Sequence, residues 1–222
     1  MARILLVNPP HPSIGSRIPP RTLGEHLPPL GLLSIGGPLI DDGHDFRLLD
    51  FELDNPTPQE IARRVVDTET EIMMIGHSGS TSAHPLICNL TRRVRALCPD
   101  IQIIYGGVFP TYHHRDILRH MPQIDVIVRG EGEETARRLM AALERGGRLG
   151  DIPGLAYRGD GDPVATPPAP MIHNLDDYRV GWELADLTRY SYWGQRRAIV
   201  MQFSRGCPHL CTCLLYTSPS PR

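Results

Sequence analysis

The sequence predicts a doubly wound α/β domain over residues 1–147, a five-stranded parallel sheet with helices on both faces. Two observations predict it. Short apolar runs alternate with segments of helical period along the first 145 residues. The runs are apolar throughout rather than at every second position, as strands buried on both faces require.

The elements follow in order. Arg3–Asn8 (RILLVN) is the first run, and Asp45–Asp50 (DFRLLD), Ile72–Gly76 (IMMIG), Ile101–Gly106 (IQIIYG) and Asp125–Val128 (DVIV) repeat it. Between them, Leu30–Asp42 carries Leu32, Leu33, Ile35, Leu39 and Ile40 and stops at Gly43. Pro58–Asp67 follows Thr57, an N-cap candidate, and Glu60 completes a capping box. His84–Leu97 places Leu86, Ile87, Leu90, Val94 and Leu97 at three- and four-residue steps. Tyr112–His120 is a shorter helix, and Glu133–Arg145 ends at Gly146-Gly147. Right-handed crossovers put helices on both faces of such a sheet. The architecture expected is Rossmann- or flavodoxin-like, and the order 2-1-3-4-5 suits five strands.

After Gly147 the character changes. Residues 148–197 read as a hairpin and linker: Gly154–Arg158 and Val164–Thr166 flank a GDGDP turn, and PPAP follows. Met171–Arg197 has weak periodicity but carries Tyr178, Trp182, Tyr190, Tyr192 and Trp193. Residues 198–212 hold another short strand, Ala198–Phe203, and then SRGCPHLC. Cys213–Arg222 (CLLYTSPSPR) looks like a translated sequencing-library adapter and is set aside from the fold.

Composition excludes several classes. The chain has 222 residues, enough for about one and a half domains. A net charge of −2 and a pI near 6.5 argue against nucleic-acid binding through bulk positive charge. With a mean hydropathy of −0.22 and no run of about 18 apolar residues, no membrane span is expected. The apolar stretch before Pro9 is too short for a secretory signal, so the chain reads as cytoplasmic. All 23 basic residues are Arg, which removes any Schiff-base or P-loop lysine. The cysteines are Cys88, Cys98, Cys207, Cys211 and Cys213; the late cluster suggests a metal site before disulfides, whereas Cys88 and Cys98 are expected to be buried and inert.

In an open parallel sheet, ligands bind beyond the carboxyl ends of the strands. Asn8, Pro9, Pro10 and His11 open the long Pro-rich loop after the first strand. His77, Ser78, Gly79, Ser80, Thr81 and Ser82 follow the third; small hydroxyl residues there can meet a ligand or simply cap the next helix. Gly106, Gly107, Val108 and Phe109 follow the fourth, where a glycine pair signals a turn or a close ligand. Gly130, Glu131, Gly132 and Glu133 follow the fifth; their carboxylates would repel phosphate, and the GxGxxG dinucleotide pattern is not met.

Together, NPP after the first strand, GHSGSTSAHP after the third, YGGVFPT after the fourth and IVRGEGEET after the fifth resemble the cobalamin-binding domain of radical S-adenosylmethionine enzymes. AIVMQFSRGCPHLCT resembles the first barrel strand and cluster loop of those enzymes. Their loop reads CxxxCxxC; Cys207 and Cys211 match the first two positions, and Leu214 stands at the third. Within the family the chain resembles the anaerobic magnesium-protoporphyrin IX monomethyl ester oxidative cyclases, and the cobalamin-dependent radical methyltransferases share its front half. The resemblance implies cobalamin in the loop crevice. It implies a 4Fe-4S cluster and S-adenosylmethionine in the full-length parent, and a tetrapyrrole or other unactivated carbon as substrate. The lower-ligand motif DxHxxG is absent, so a corrinoid held without a protein imidazole is expected. The chain alone is expected to lack turnover, because most of the barrel is not in it. The other class is a non-catalytic flavodoxin-like module that holds a flavin or nucleotide.

Overall fold

The computed structural model describes residues 2–10, 26–54, 56–77, 83–192 and 196–205. Its elements run β1 (Arg3–Asn8), α1 (Leu30–Asp41), β2 (Asp45–Asp50), α2 (Pro58–Val66), β3 (Ile72–Gly76), α3 (His84–Leu97) and β4 (Gln102–Gly106). Then come α4 (Val108–His120), β5 (Val126–Val128), α5 (Glu133–Arg145), β6 (Leu155–Arg158), β7 (Pro163–Ala165), β8 (Ser191–Tyr192) and β9 (Arg196–Arg197). The main sheet has the order β2-β1-β3-β4-β5-β6-β7. Its first five strands are parallel, in the 2-1-3-4-5 order the sequence suggests.

Each strand sends alternate side chains to opposite faces. Leu5, Val7, Met73, Ile75, Ile103 and Ile127 pack with Ile61, Val65, Ile87, Leu90, Val94 and Ile117 of α2, α3 and α4. Ile4, Leu6, Ile72, Met74, Ile104, Val126 and Val128 pack with Leu32, Leu39, Ala136, Leu139 and Met140 of α1 and α5. Continuous apolar runs in the sequence are the signature of this two-sided burial. Cys88 and Cys98 are half-buried, free, and packed against the first of these cores.

Three features differ from the sequence reading. The hairpin is not a separate piece: β6 pairs antiparallel with β5, Val126 opposite Tyr157, so the sheet has seven strands. Arg158 fixes it there by donating to the carbonyls of Leu118, Pro122 and Ile124. Helix α4 begins at Val108 rather than Tyr112, because Gly107 at φ 110° turns the chain straight from β4 into the helix. Pro110 sits in the first turn, where its missing N–H costs nothing. Residues 198–203 form no strand, since no described strand runs beside them to complete a ladder.

Residues 171–192 cross the outside of α1 as a strap of three short 3-10 turns. The Gly181 amide donates to the Leu33 carbonyl at 2.9 Å. Arg179 pairs with Asp41 at 2.7 Å and Arg189 with Asp54 at 2.9 Å. Contact is close because α1 carries Gly36-Gly37: a Cβ on Gly37 would lie 2.1 Å from the Arg179 carbonyl oxygen.

Candidate functional site

At the carboxyl edge of the parallel strands the fold leaves a cavity of about 620 Å³. That is within the usual size for a small-molecule site, in the usual place for an open α/β sheet. Met74, Ile75 and Gly76 of β3, Ile104 and Gly106 of β4 and Val128 of β5 line it. Pro28, Pro29, Leu32 and Ile35 at the start of α1 form one apolar wall, and Gly130–Glu133 with Ala136 form another. Val200, Gln202 and Arg205 reach in from the carboxyl-terminal described segment.

Two glycines shape the rim. Gly107 has φ 110°, and a Cβ there would press on the His77 carbonyl at 3.1 Å. A Cβ on Gly132 would meet Ile35 at 2.7 Å. A larger residue would press on backbone at Gly107 and displace the tip of the Ile35 side chain at Gly132, so the shape of the rim depends on missing side chains.

The strand-end loops converge largely as the sequence suggests. Asn8, His77, Gly106, Gly107, Val108, Gly130, Glu131, Gly132 and Glu133 all line the cavity. Pro9 and Pro10 are buried but are not among its lining residues. Phe109 does not line it either; its ring lies 4.5 Å from that of His84 and 4.3 Å from that of His113, on the face of the α3 and α4 core. Helical geometry is the reason, since consecutive residues of a helix point about 100° apart. His11, Ser78, Gly79, Ser80, Thr81, Ser82, Cys207 and Cys211 lie outside the described residues.

The glutamates of the fifth loop have protein partners. Glu133 is buried and accepts from Arg205 at 2.5 Å. Glu131 accepts from the Ile172 amide at 2.6 Å. Like charges at the head of α5 are thus offset by a guanidinium, a backbone amide and the helix N-terminus.

A polar corner at the first strand was not visible in the sequence. Asn8 donates to Asp50 at 2.8 Å and to Glu52 at 3.3 Å. Tyr190, from the strap, donates to the other Asp50 oxygen at 2.8 Å. Asn8 and Glu52 line the cavity, so this network forms its β1–β2 corner. Burial raises the Asp50 carboxyl above its ordinary value of 3.8, while the Tyr190 and Asn8 hydrogen bonds pull the other way. Burial, and then the Asp50 charge, raises the Tyr190 phenol. The folded chain therefore holds the Asp50 proton more tightly than the unfolded chain. That contribution is fully present below the ordinary carboxylate value and is lost as pH rises through the raised one. Asp50→Asn cannot ionise, so it is expected to gain stability relative to the parent between about pH 4 and about pH 7. Urea midpoints of both proteins at the two pH values check this; a constant difference would refute it.

The site is thus an apolar slot with a glycine rim and polar groups at its corners. No cluster of three His, Cys, Asp or Glu side chains suited to a metal ion occurs among the described residues. No helix among them is long and apolar enough to cross a membrane. A cavity of this kind suits a largely apolar ligand whose polar groups lie at its margin.

Comparison with known proteins agrees. The family described as B12 binding domain matches residues 17–140. The anaerobic magnesium-protoporphyrin IX monomethyl ester cyclase of a Synechocystis strain is 60% identical over 209 residues, covering 94% of this chain and 41% of the cyclase. The chain therefore spans about two fifths of that relative's length. Among solved structures, the cobalamin-dependent S-adenosylmethionine radical enzyme OxsB in its apo form superposes with a TM-score of 0.68 at 19% identity, over 93% of this chain and 27% of that one. The radical S-adenosylmethionine methyltransferase TsrM of Kitasatospora setae, with cobalamin and a [4Fe-4S] cluster bound, gives 0.61 at 18% identity, over 89% and 36%. At such identities the two structures speak to the fold alone.

Proposed function

We propose a function from one premise: this chain belongs to the B12-binding domain family. It binds cobalamin in the cavity at the carboxyl edge of the sheet, as the amino-terminal part of a radical S-adenosylmethionine enzyme. The observation that carries this is the cavity itself: an apolar floor of Met74, Ile104 and Val128, with a rim at Gly107 and Gly132 where a Cβ would crowd His77 and Ile35. The residues present fit a corrinoid. The floor offers a dry face to a macrocycle, and Asn8, His77 and Glu52 at the corners offer polar atoms to its amide arms.

When bound, the corrinoid supplies cobalt-centred chemistry that no side chain of this chain can. The chain's own part is to bind, orient and exclude water. Leu32 and Ile35 line one side of the cavity, and Val200 and Gln202 line it from the carboxyl-terminal described segment. Cys207 and Cys211 would contribute two thiolates to a cluster of the full-length protein.

For that full-length protein the reading is oxidative cyclisation of a magnesium-porphyrin ester, supported by the 60% identity to the cyclase over 94% of this chain. Domain organisation follows the same reading, with residues 198–212 opening the catalytic barrel. Radical methyl transfer is the alternative chemistry for the same front half.

Titration with hydroxocobalamin tests the central claim. Saturable uptake is expected, with a shifted corrin absorption spectrum, retained colour after desalting and a raised melting temperature. Flavin mononucleotide and nicotinamide dinucleotides should pass through the desalting column unbound. Retention of one of those, with no corrinoid uptake, would overturn the claim.

A further inference from the structure

Arg205 is the last residue described before the segment that leads to Cys207, and it folds back onto the cavity wall. Its Nη2 donates to Glu133 Oε1 at 2.5 Å, its Nη1 lies 3.9 Å from Glu131 Oε1, and its Nε donates to Gln202 Oε1 at 2.9 Å. Each guanidinium nitrogen therefore faces an oxygen. The Arg205 side chain is 24% exposed and that of Glu133 only 4%. A buried carboxylate is costly unless paired, and the only cation the described residues bring to Glu133 by an ion pair or side-chain hydrogen bond is this guanidinium. Pairs of this sort add little net stability, and their best-attested use is to fix one arrangement over its alternatives.

We propose that Arg205 and Glu133 form a positioning latch, which seats the segment before Cys207 on the rim of the cavity. Glu133 begins α5, so its carboxylate is anchored to the sheet through a helix whose Ala136, Leu139 and Met140 are buried. The rest of the segment has little to hold it: Met201 and Phe203 are exposed, and 198–203 pairs with no strand. The latch thus sets where the chain leaves the cobalamin crevice on its way to the cysteines. Its link to cofactor affinity rests on the proposed function. Val200, Gln202 and Arg205 all line the cavity, so loosening them removes part of the slot's cover. By reciprocity, a ligand that fills the slot tightens the latch.

The test uses the whole chain and four variants: Arg205→Gln, Arg205→Lys, Glu133→Gln and the Arg205→Gln/Glu133→Gln double variant. Hydroxocobalamin is the probe. Each Gln variant is expected to bind it about five- to tenfold more weakly, the double variant no more weakly than either single one, and Arg205→Lys in between. A second readout needs no ligand. The Nε–H signal of Arg205 in a ¹⁵N spectrum, assigned by its loss in Arg205→Gln, is expected to move or broaden in Glu133→Gln. Should Glu133→Gln fail to fold, the Glu133 backbone amide observed in Arg205→Gln gives the reciprocal measurement. Effects that multiply in the double variant, or an Arg205 signal indifferent to Glu133→Gln, overturn the latch. If the parent chain takes up no hydroxocobalamin while the Arg205 signal still responds, the corrinoid reading falls and the latch stands.

Discussion

Gly106→Leu is expected to weaken hydroxocobalamin binding at least about a hundredfold, roughly 2.7 kcal/mol, with little change in folding. Gly106 ends β4 and lines the cavity. A Cβ there would meet only Val128, at 3.9 Å, so the first added carbon fits. Gly106 is not among the glycines at positive φ, so a side chain brings no backbone strain. The three further carbons must go into the cavity proposed to hold the macrocycle. Gly107→Leu is the contrast: at φ 110°, with the His77 carbonyl 3.1 Å from its Cβ, it should lose both binding and fold. Spectral titration with a thermal melt separates the two effects. Unchanged affinity in Gly106→Leu would place the corrinoid elsewhere.

Gly37→Val is expected to destabilise the chain by about 3 kcal/mol, or roughly 6–12 °C in Tm for a protein of this size. The Cβ would lie 2.1 Å from the Arg179 carbonyl oxygen and 2.8 Å from the Gly181 nitrogen, both backbone atoms. No rotamer change relieves such a clash, so the strap must lift from α1. The Gly181–Leu33 hydrogen bond and the Arg179–Asp41 pair would go with it. Hydrogen exchange at the Gly181 amide should rise sharply, while amides of β1 and β3 keep their protection relative to global unfolding. Loss of protection everywhere would mean that the strap and sheet unfold as one unit.

Much of this was legible in the sequence, for a definite reason. Strands β1, β3, β4 and β5 are buried on both faces, so their composition alone marks them, whereas the edge strand β2 is only half-buried; α3 and α5 have the predicted boundaries. Once such a series is recognised, topology brings the loops after β1, β3, β4 and β5 to one edge, and nine of the singled-out residues do line the cavity. What was not legible depends on contacts between distant segments. The Pro28–Ile35 wall looks like an ordinary apolar helix start, and nothing local says that it faces the ligand. The GGP within α1 reads as a weakness in a helix until the strap is seen lying against it. Asp50 is coupled to Tyr190 across 140 residues of sequence, and Arg205 to Glu133 across 72. Phe109 was misplaced by orientation alone: the helix starts early, and its second residue turns to the opposite face.

The antiparallel addition of β6 and β7 bears on how shortened versions should be cut. A chain stopped at Gly147 would strip β5 of its outer neighbour and bare the carbonyls and amides of Val126–Val128. Raw borders of that sort invite pairing with another molecule and fibrous precipitation. As built, the outermost strand is only three residues long and begins at Pro163, features that discourage such stacking. Truncations that keep Thr166, whose hydroxyl and amide both engage Leu155, preserve this protective border.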